Sequence, residues 1–103
     1  MTEGGQRRLE GELLVECAGW IWEQLQEEGF FLAGELVELV LTTERDMGIQ
    51  GERLQFIAET LEAEFEARGV VGNPYPVNVA LILAVLSWED EFLGYAGIPR
   101  AES

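Results

Sequence analysis

The run from Val77 to Leu93, VNVALILAVLSWEDEFL, is apolar on almost every side once wound at about 100° per residue, and the rest of the chain has to cover it. Leu81, Val85, Trp88 and Phe92 form one stripe, while Val79, Ile82, Leu83, Leu86 and Leu93 spread over the opposite side. Ala80, Ala84 and Ser87 remain as a narrow face without bulk, the kind of surface a neighbouring backbone approaches closely. A helix with so little polar surface belongs at the centre of a bundle or partly inside a second subunit. A membrane span needs about 20 apolar residues, and Glu89, Asp90 and Glu91 interrupt this run first. A buried core helix over about 76–93 is therefore expected.

Three amphipathic segments precede it. The first, about 7–28, places Leu14, Cys17, Ala18, Ile21, Trp22 and Leu25 on one face and Glu12, Glu16 and Glu23 opposite. Trp20 falls at the edge of the polar face, as a lid over the core or a contact residue. Gly11 and Gly19 each cost about 1 kcal/mol in a helix, which suggests another helix packing close to them. Gly29 reads as a left-handed stop. The second segment, about 33–47, turns Leu36, Val37, Val40 and Met47 inward and Glu35, Glu38, Thr42, Arg45 and Asp46 toward water. The third, about 52–68, carries Leu54, Ile57, Ala58, Leu61 and Phe65 as its main stripe. Phe56, Ala63 and Ala67 make a second, narrower apolar seam on it, suited to a further helix or a second copy of the chain. Asn73 is a candidate cap for the last helix, with Pro74 and Pro76 in its first turn, and residues 97–103 read as a mobile tail. The expected architecture is an all-α, compact four-helix bundle-like single domain of residues 1–103, with the apolar C-terminal helix at its centre.

Charge narrows the function classes. The chain has a formal net charge of -14, with six arginines, no lysine and no histidine. Nucleic-acid affinity comes largely from neutralising phosphates with basic side chains, so direct nucleic-acid binding is not expected. A helix-turn-helix reading of the second and third helices fails for the same reason, since glutamates crowd the third. Without histidine the chain lacks the usual neutral-pH acid/base and the commonest nitrogen ligand for metals. The sequence shows no glycine-rich phosphate loop, zinc spacing or nucleophile elbow, so neither a catalytic set nor a cofactor is assigned. A single cysteine, Cys17, and a polar start from Met1 to Gln6 point to the cytoplasm, with no membrane association.

Two sets of carboxylates stand out. Glu44 breaks its helix's pattern, because its place on the wheel falls between Val37 and Val40; it is either in a fraying last turn or a partly buried acid with a specific partner. Glu89, Asp90 and Glu91 put three negative charges at the carbonyl end of a helix, where the dipole is already negative. Arg100 folding back, another helix's arginine, a cation or water must offset them. With Trp88 beside the cluster, and with Trp20 and Phe56, these residues form the tentative interaction set.

Glu35 and Glu38 on the second helix and Glu59 and Glu62 on the third each lie three apart, so two such helices side by side could hold magnesium or manganese through oxygen alone. This pairing resembles the acidic motifs of all-helical nucleoside-triphosphate pyrophosphohydrolases of the MazG type. The resemblance implies a metal-dependent enzyme, although Glu62 stands in place of an aspartate and the usual extra glutamate of the first motif is missing. The preferred expectation is a non-enzymatic acidic interaction domain, accessory or regulatory, that binds an unidentified protein and itself as a homodimer. The pyrophosphohydrolase-like enzyme is one alternative, and an acidic mimic of nucleic acid that occupies a basic protein is another.

Overall fold

The computed structural model describes residues 8–72 and 76–103. Four helices carry the fold: α1 (Gly11–Glu27), α2 (Gly34–Asp46), α3 (Leu54–Arg68) and α4 (Val79–Ala96), followed by a single 3-10 turn, η1 (Arg100–Glu102). No strand occurs among the described residues, and the domain is an all-α four-helix bundle-like globule. α4 packs along both α3 and α1, α1 packs along α2, and α2 touches α3 and α4 more lightly. The apolar C-terminal helix is thus the central one.

The core follows the expected stripes. Leu14, Cys17, Ala18, Ile21 and Leu25 of α1, Ile57, Ala58, Leu61 and Phe65 of α3, and Leu81, Ile82, Val85, Leu86 and Leu93 of α4 are all buried. α2 adds Val37, Val40 and Leu41, whereas Met47, expected inside, is exposed just past the helix end. The most apolar segment is therefore enclosed by its own chain and needs no second copy to cover it. Its small face behaves differently from expectation. Ala80 and Ser87 are exposed, and no neighbouring backbone closes over them.

Each helix ends on one device. Gly29, Gly48, Gly69 and Gly97 all have positive φ, and the next amide donates back to the helix: Phe30 to Leu25 at 2.8 Å, Ile49 to Glu44 at 3.1 Å, Val70 to Phe65 at 2.9 Å and Ile98 to Leu93 at 2.9 Å. At Gly97, φ of 71° permits the reversal and leaves Ile98 packed in the core beside Leu93. α4 consequently runs one turn further than the sequence suggested. Its start is set by Asn78, whose Oδ1 accepts from the Leu81 amide at 3.0 Å. Asn73 and Pro74, the expected cap and first-turn residue, lie outside the described residues.

Two further expectations are corrected. No helix approaches Gly19, where an added Cβ would meet nothing within 4 Å; Gly11 is instead a positive-φ residue at the start of α1. Nor is the C-terminal stretch a free tail. Ile98 and Ser103 are buried, the Leu9 amide donates to the Ser103 carbonyl at 2.9 Å, and Ala101 lies against Gly51 in the turn between α2 and α3. This strap ties the two ends of the described chain together.

Candidate functional site

Chemistry-bearing side chains gather in two places: a buried charge cluster where α2, α4 and η1 meet, and an aromatic patch on the outer surface of α1 and α4.

The buried cluster begins with helical geometry. On α2, Glu44 lies one turn beyond Val40 and Leu41, so the same rotation that buries them turns Glu44 inward, to 0% exposure. On α4, Glu89 continues the stripe of Ile82 and Leu86 and is likewise 0% exposed. Two carboxylates buried together repel each other and lose their hydration unless cations meet them. Two arginines do. Arg45 Nη1 donates to Glu44 Oε1 at 2.8 Å and lies 2.6 Å from Glu89 Oε2, a charge contact out of hydrogen-bond alignment. Arg100 Nη1 donates to Glu44 Oε2 at 2.9 Å, and its Nη2 donates to Glu89 Oε1 at 2.6 Å. All four carboxylate oxygens therefore face a guanidinium in a closed ring.

Backbone and neighbouring groups hold both arginines. Arg100 donates from Nε to Asp90, from Nη1 to the Gln50 carbonyl at 3.0 Å and from Nη2 to the Leu86 carbonyl at 3.3 Å. Arg45 donates to the Leu41 carbonyl at 3.3 Å and to Ser103 Oγ at 2.7 Å. Arg45, expected to point to water, is thus largely inside. Counting Asp90, three carboxylates meet two guanidiniums, so neutrality calls for one proton. The Glu44 carboxyl is pushed up to about 8, first by burial and then by the neighbouring Glu89, against the pull of Arg45 and Arg100. Burial alone would lower Arg100, but Glu89, Asp90 and Glu44 reverse that and raise it. Burial, reinforced by Glu89, also pushes the nearby Cys17 thiol up to about 12, so Cys17 is an inert core residue.

The chemistry of this ring is complete within itself. Its carboxylates are sealed from solvent and faced by arginine, so neither is presented to a substrate. Beside it runs a cleft of about 530 Å³ whose walls mix Arg8 and Arg45 with Glu10, Glu38 and Asp46, a lining of both signs that selects no ligand charge.

The aromatic patch lies at the surface, with Trp20, Trp88 and Phe92 half-buried and Tyr95 exposed. Trp20 of α1 meets three rings of α4: Trp88 edge-on with centroids 5.6 Å apart, Phe92 at 5.9 Å and Tyr95 edge-on at 5.9 Å. Tyr95 is 76% exposed. Trp88 Nε1 donates to Glu28 Oε1 at 3.0 Å, and a recess of about 430 Å³ opens beside it, lined by Glu28, Ala84, Ser87, Trp88 and Glu91. Of the small face of α4, Ala84 and Ser87 line this recess.

The tentative interaction residues separate accordingly. Trp20 and Trp88 come together, and Glu91 lies beside them. Glu89 is removed from any contact surface, because the wheel position that aligns it with Leu86 buries it. Asp90 is half-exposed but engaged by Arg100. Phe56 stays apart on α3, 46% exposed, with Ala63 and Ala67 exposed on the same helix. Glu35, Glu38, Glu59 and Glu62 do not converge: Glu62 accepts from the Val79 amide at 3.0 Å, Glu59 accepts from Gln55 at 2.8 Å, and Glu35 and Glu38 flank a recess against α1. Among the described residues, no group of three or more acidic, histidine or cysteine side chains is placed to hold a metal.

Sequence reasoning flagged Glu44 by its wheel position, and the same test applied to Glu89 finds it as well, since Leu86 precedes it by three. Reading it as part of a charge run hid this. Arg45 left no such signal, because its long side chain returns inward from a polar position. Compared with family models, with curated proteins and with solved structures, the chain matches none.

Proposed function

We propose that this chain is an acidic helical interaction domain, an accessory or regulatory module that docks on another protein through the outer face of α1 and α4 and is not an enzyme. The observation that carries this reading is the surface ring cluster beside an open recess, in which Trp20, Trp88 and Phe92 are half-buried and Tyr95 is exposed. Aromatic anchors of this kind dominate the energetics of protein contacts, and a contiguous patch of them on a small domain marks an interaction site. The buried charges support it from the other side: paired arginines face Glu44 and Glu89 within the sealed interior, which leaves them a structural role.

A photo-crosslinking residue at position 95 tests the reading in cells. A specific product is expected from Tyr95, lost on Trp20→Ala, and none from a control at Glu52, exposed before α3. Equal labelling from both positions, or none from either, would remove the face from consideration.

Self-association belongs to the same reading and uses α3, whose Phe56, Ala63 and Ala67 stay uncovered. Sedimentation over micromolar concentrations is expected to show a monomer–dimer equilibrium that Phe56→Glu shifts to monomer. A monomer throughout would exclude the dimer. No helix among the described residues is long and apolar enough to cross a membrane, and we place the domain in the cytoplasm, where its single thiol stays reduced.

A further inference from the structure

The partner's chemistry is legible in the charges around the aromatic patch. Glu28 and Glu91 line the recess next to Trp88, and Glu16 and Glu23 lie one turn either side of Trp20 on α1. All four are exposed, and none pairs with an arginine among the described residues. Of the described arginines, Arg45 and Arg100 belong to the buried ring, Arg68 pairs with Glu64 at 2.6 Å, Arg8 lines the cleft beside that ring and Arg53 precedes α3. The patch is therefore aromatic at its centre and, among the described residues, negative at its rim.

We infer that this face takes a basic segment of a partner protein, one whose arginine or lysine enters the recess between Glu28, Glu91 and the Trp88 ring. The inference rests on reading the α1–α4 face as a docking surface and adds the charge of what docks. A guanidinium there meets two carboxylates and an aromatic face together, and both attract it. Half-buried Ala84 and exposed Ser87, both small, line the recess and let the segment's backbone come close. A second copy of the chain is disfavoured here, because it would bring another acidic rim against this one.

Three short amphipathic peptides of one sequence, carrying arginine, lysine or glutamine at the polar positions, test this against the folded chain. The readout is the indole N–H signals in a nuclear magnetic resonance titration. Trp88 reports the site, because its Nε1 donates to Glu28; Trp22, whose Nε1 donates to the Leu32 carbonyl at 2.7 Å, is the internal control. The arginine peptide is expected to shift Trp88 and not Trp22, and to bind about tenfold more tightly than the glutamine peptide at low salt, with the margin shrinking as salt rises. Glu28→Gln with Glu91→Gln is expected to remove most of that margin, whereas the same charge change at Glu52 and Glu66 on the α3 side leaves it intact. Equal binding of the glutamine peptide would overturn the basic partner yet leave the docking face standing. Equal loss from both variant pairs would reduce the effect to diffuse attraction to a polyanion and overturn the inference. Absence of any shift with all three peptides also overturns it, and the crosslinking at position 95 then decides the docking reading on its own.

Discussion

Arg100 is the residue on which most of the interior depends, since it is the side chain that touches Glu44, Glu89 and Asp90 together. Removing one partner of a buried ion pair leaves uncompensated charge, so Arg100→Ala should lower unfolding free energy by about 3–5 kcal/mol in a urea titration at neutral pH. Arg100→Lys should recover only part of this, because an ammonium cannot span both carboxylates as the guanidinium fork does. The proton on Glu44 makes a second expectation. Its carboxyl is raised from an ordinary value of 4.5 to about 8, so between those values the folded state holds a proton that the unfolded state has released. Stability therefore falls as pH climbs through that interval and levels off above it. The chain has no histidine, which keeps pH 6 to 8 free of that common source of change. A melting temperature that drops across this window in the wild type and stays flat in Glu44→Gln would confirm the site of the proton; a flat wild-type profile would contradict it.

At the scale of elements, the two ends of a helix differ in how plainly they are written. All four C-terminal stops were marked by glycines, whereas the N-terminus of α4 is capped by Asn78, which puts an acceptor on the Leu81 amide. Asn78→Ala should cost about 0.5–2 kcal/mol. Two glycines that look alike in the sequence should respond oppositely to alanine. Gly19 sits inside α1 with open space around it, so Gly19→Ala should stabilise by about 0.5–1 kcal/mol. At Gly51 an added Cβ would lie 3.0 Å from the Ala101 backbone, so Gly51→Ala should push the strap off the α2–α3 turn and destabilise by about 1–3 kcal/mol. Thermal melts of the two variants give the comparison directly.

Across the whole molecule, the strap from Ile98 to Ser103 joins regions far apart in sequence. It plugs Ile98 into the core, closes the charge ring with Arg100 and binds the Leu9 amide through Ser103. Deleting residues 98–103 should leave Glu44 and Glu89 with Arg45 alone and give a loosely packed, partly unfolded domain at pH 7 by circular dichroism and amide exchange. Glu44→Gln with Glu89→Gln in the truncated chain should restore part of the order by taking away the charge that Arg100 had balanced. A truncated chain as stable as the original would show the strap to be incidental.

The amino-acid order alone determined the helices, their inward stripes, the centrality of α4 and the suspicion attached to Glu44. All of these follow from local periodicity and from the penalty of leaving Leu81, Ile82, Val85 and Leu86 in water. What it could not fix was which charges meet. Arg45 and Glu89 sit on separate helices, and Arg100 approaches both carboxylates only after the chain turns back at Gly97. Trp20 likewise joins Trp88, Phe92 and Tyr95 only when α1 lies beside α4. Hydrophobic burial is a property of one helix face and can be read along the chain; pairing between distant side chains depends on how the faces are brought together, and the tertiary structure decided that.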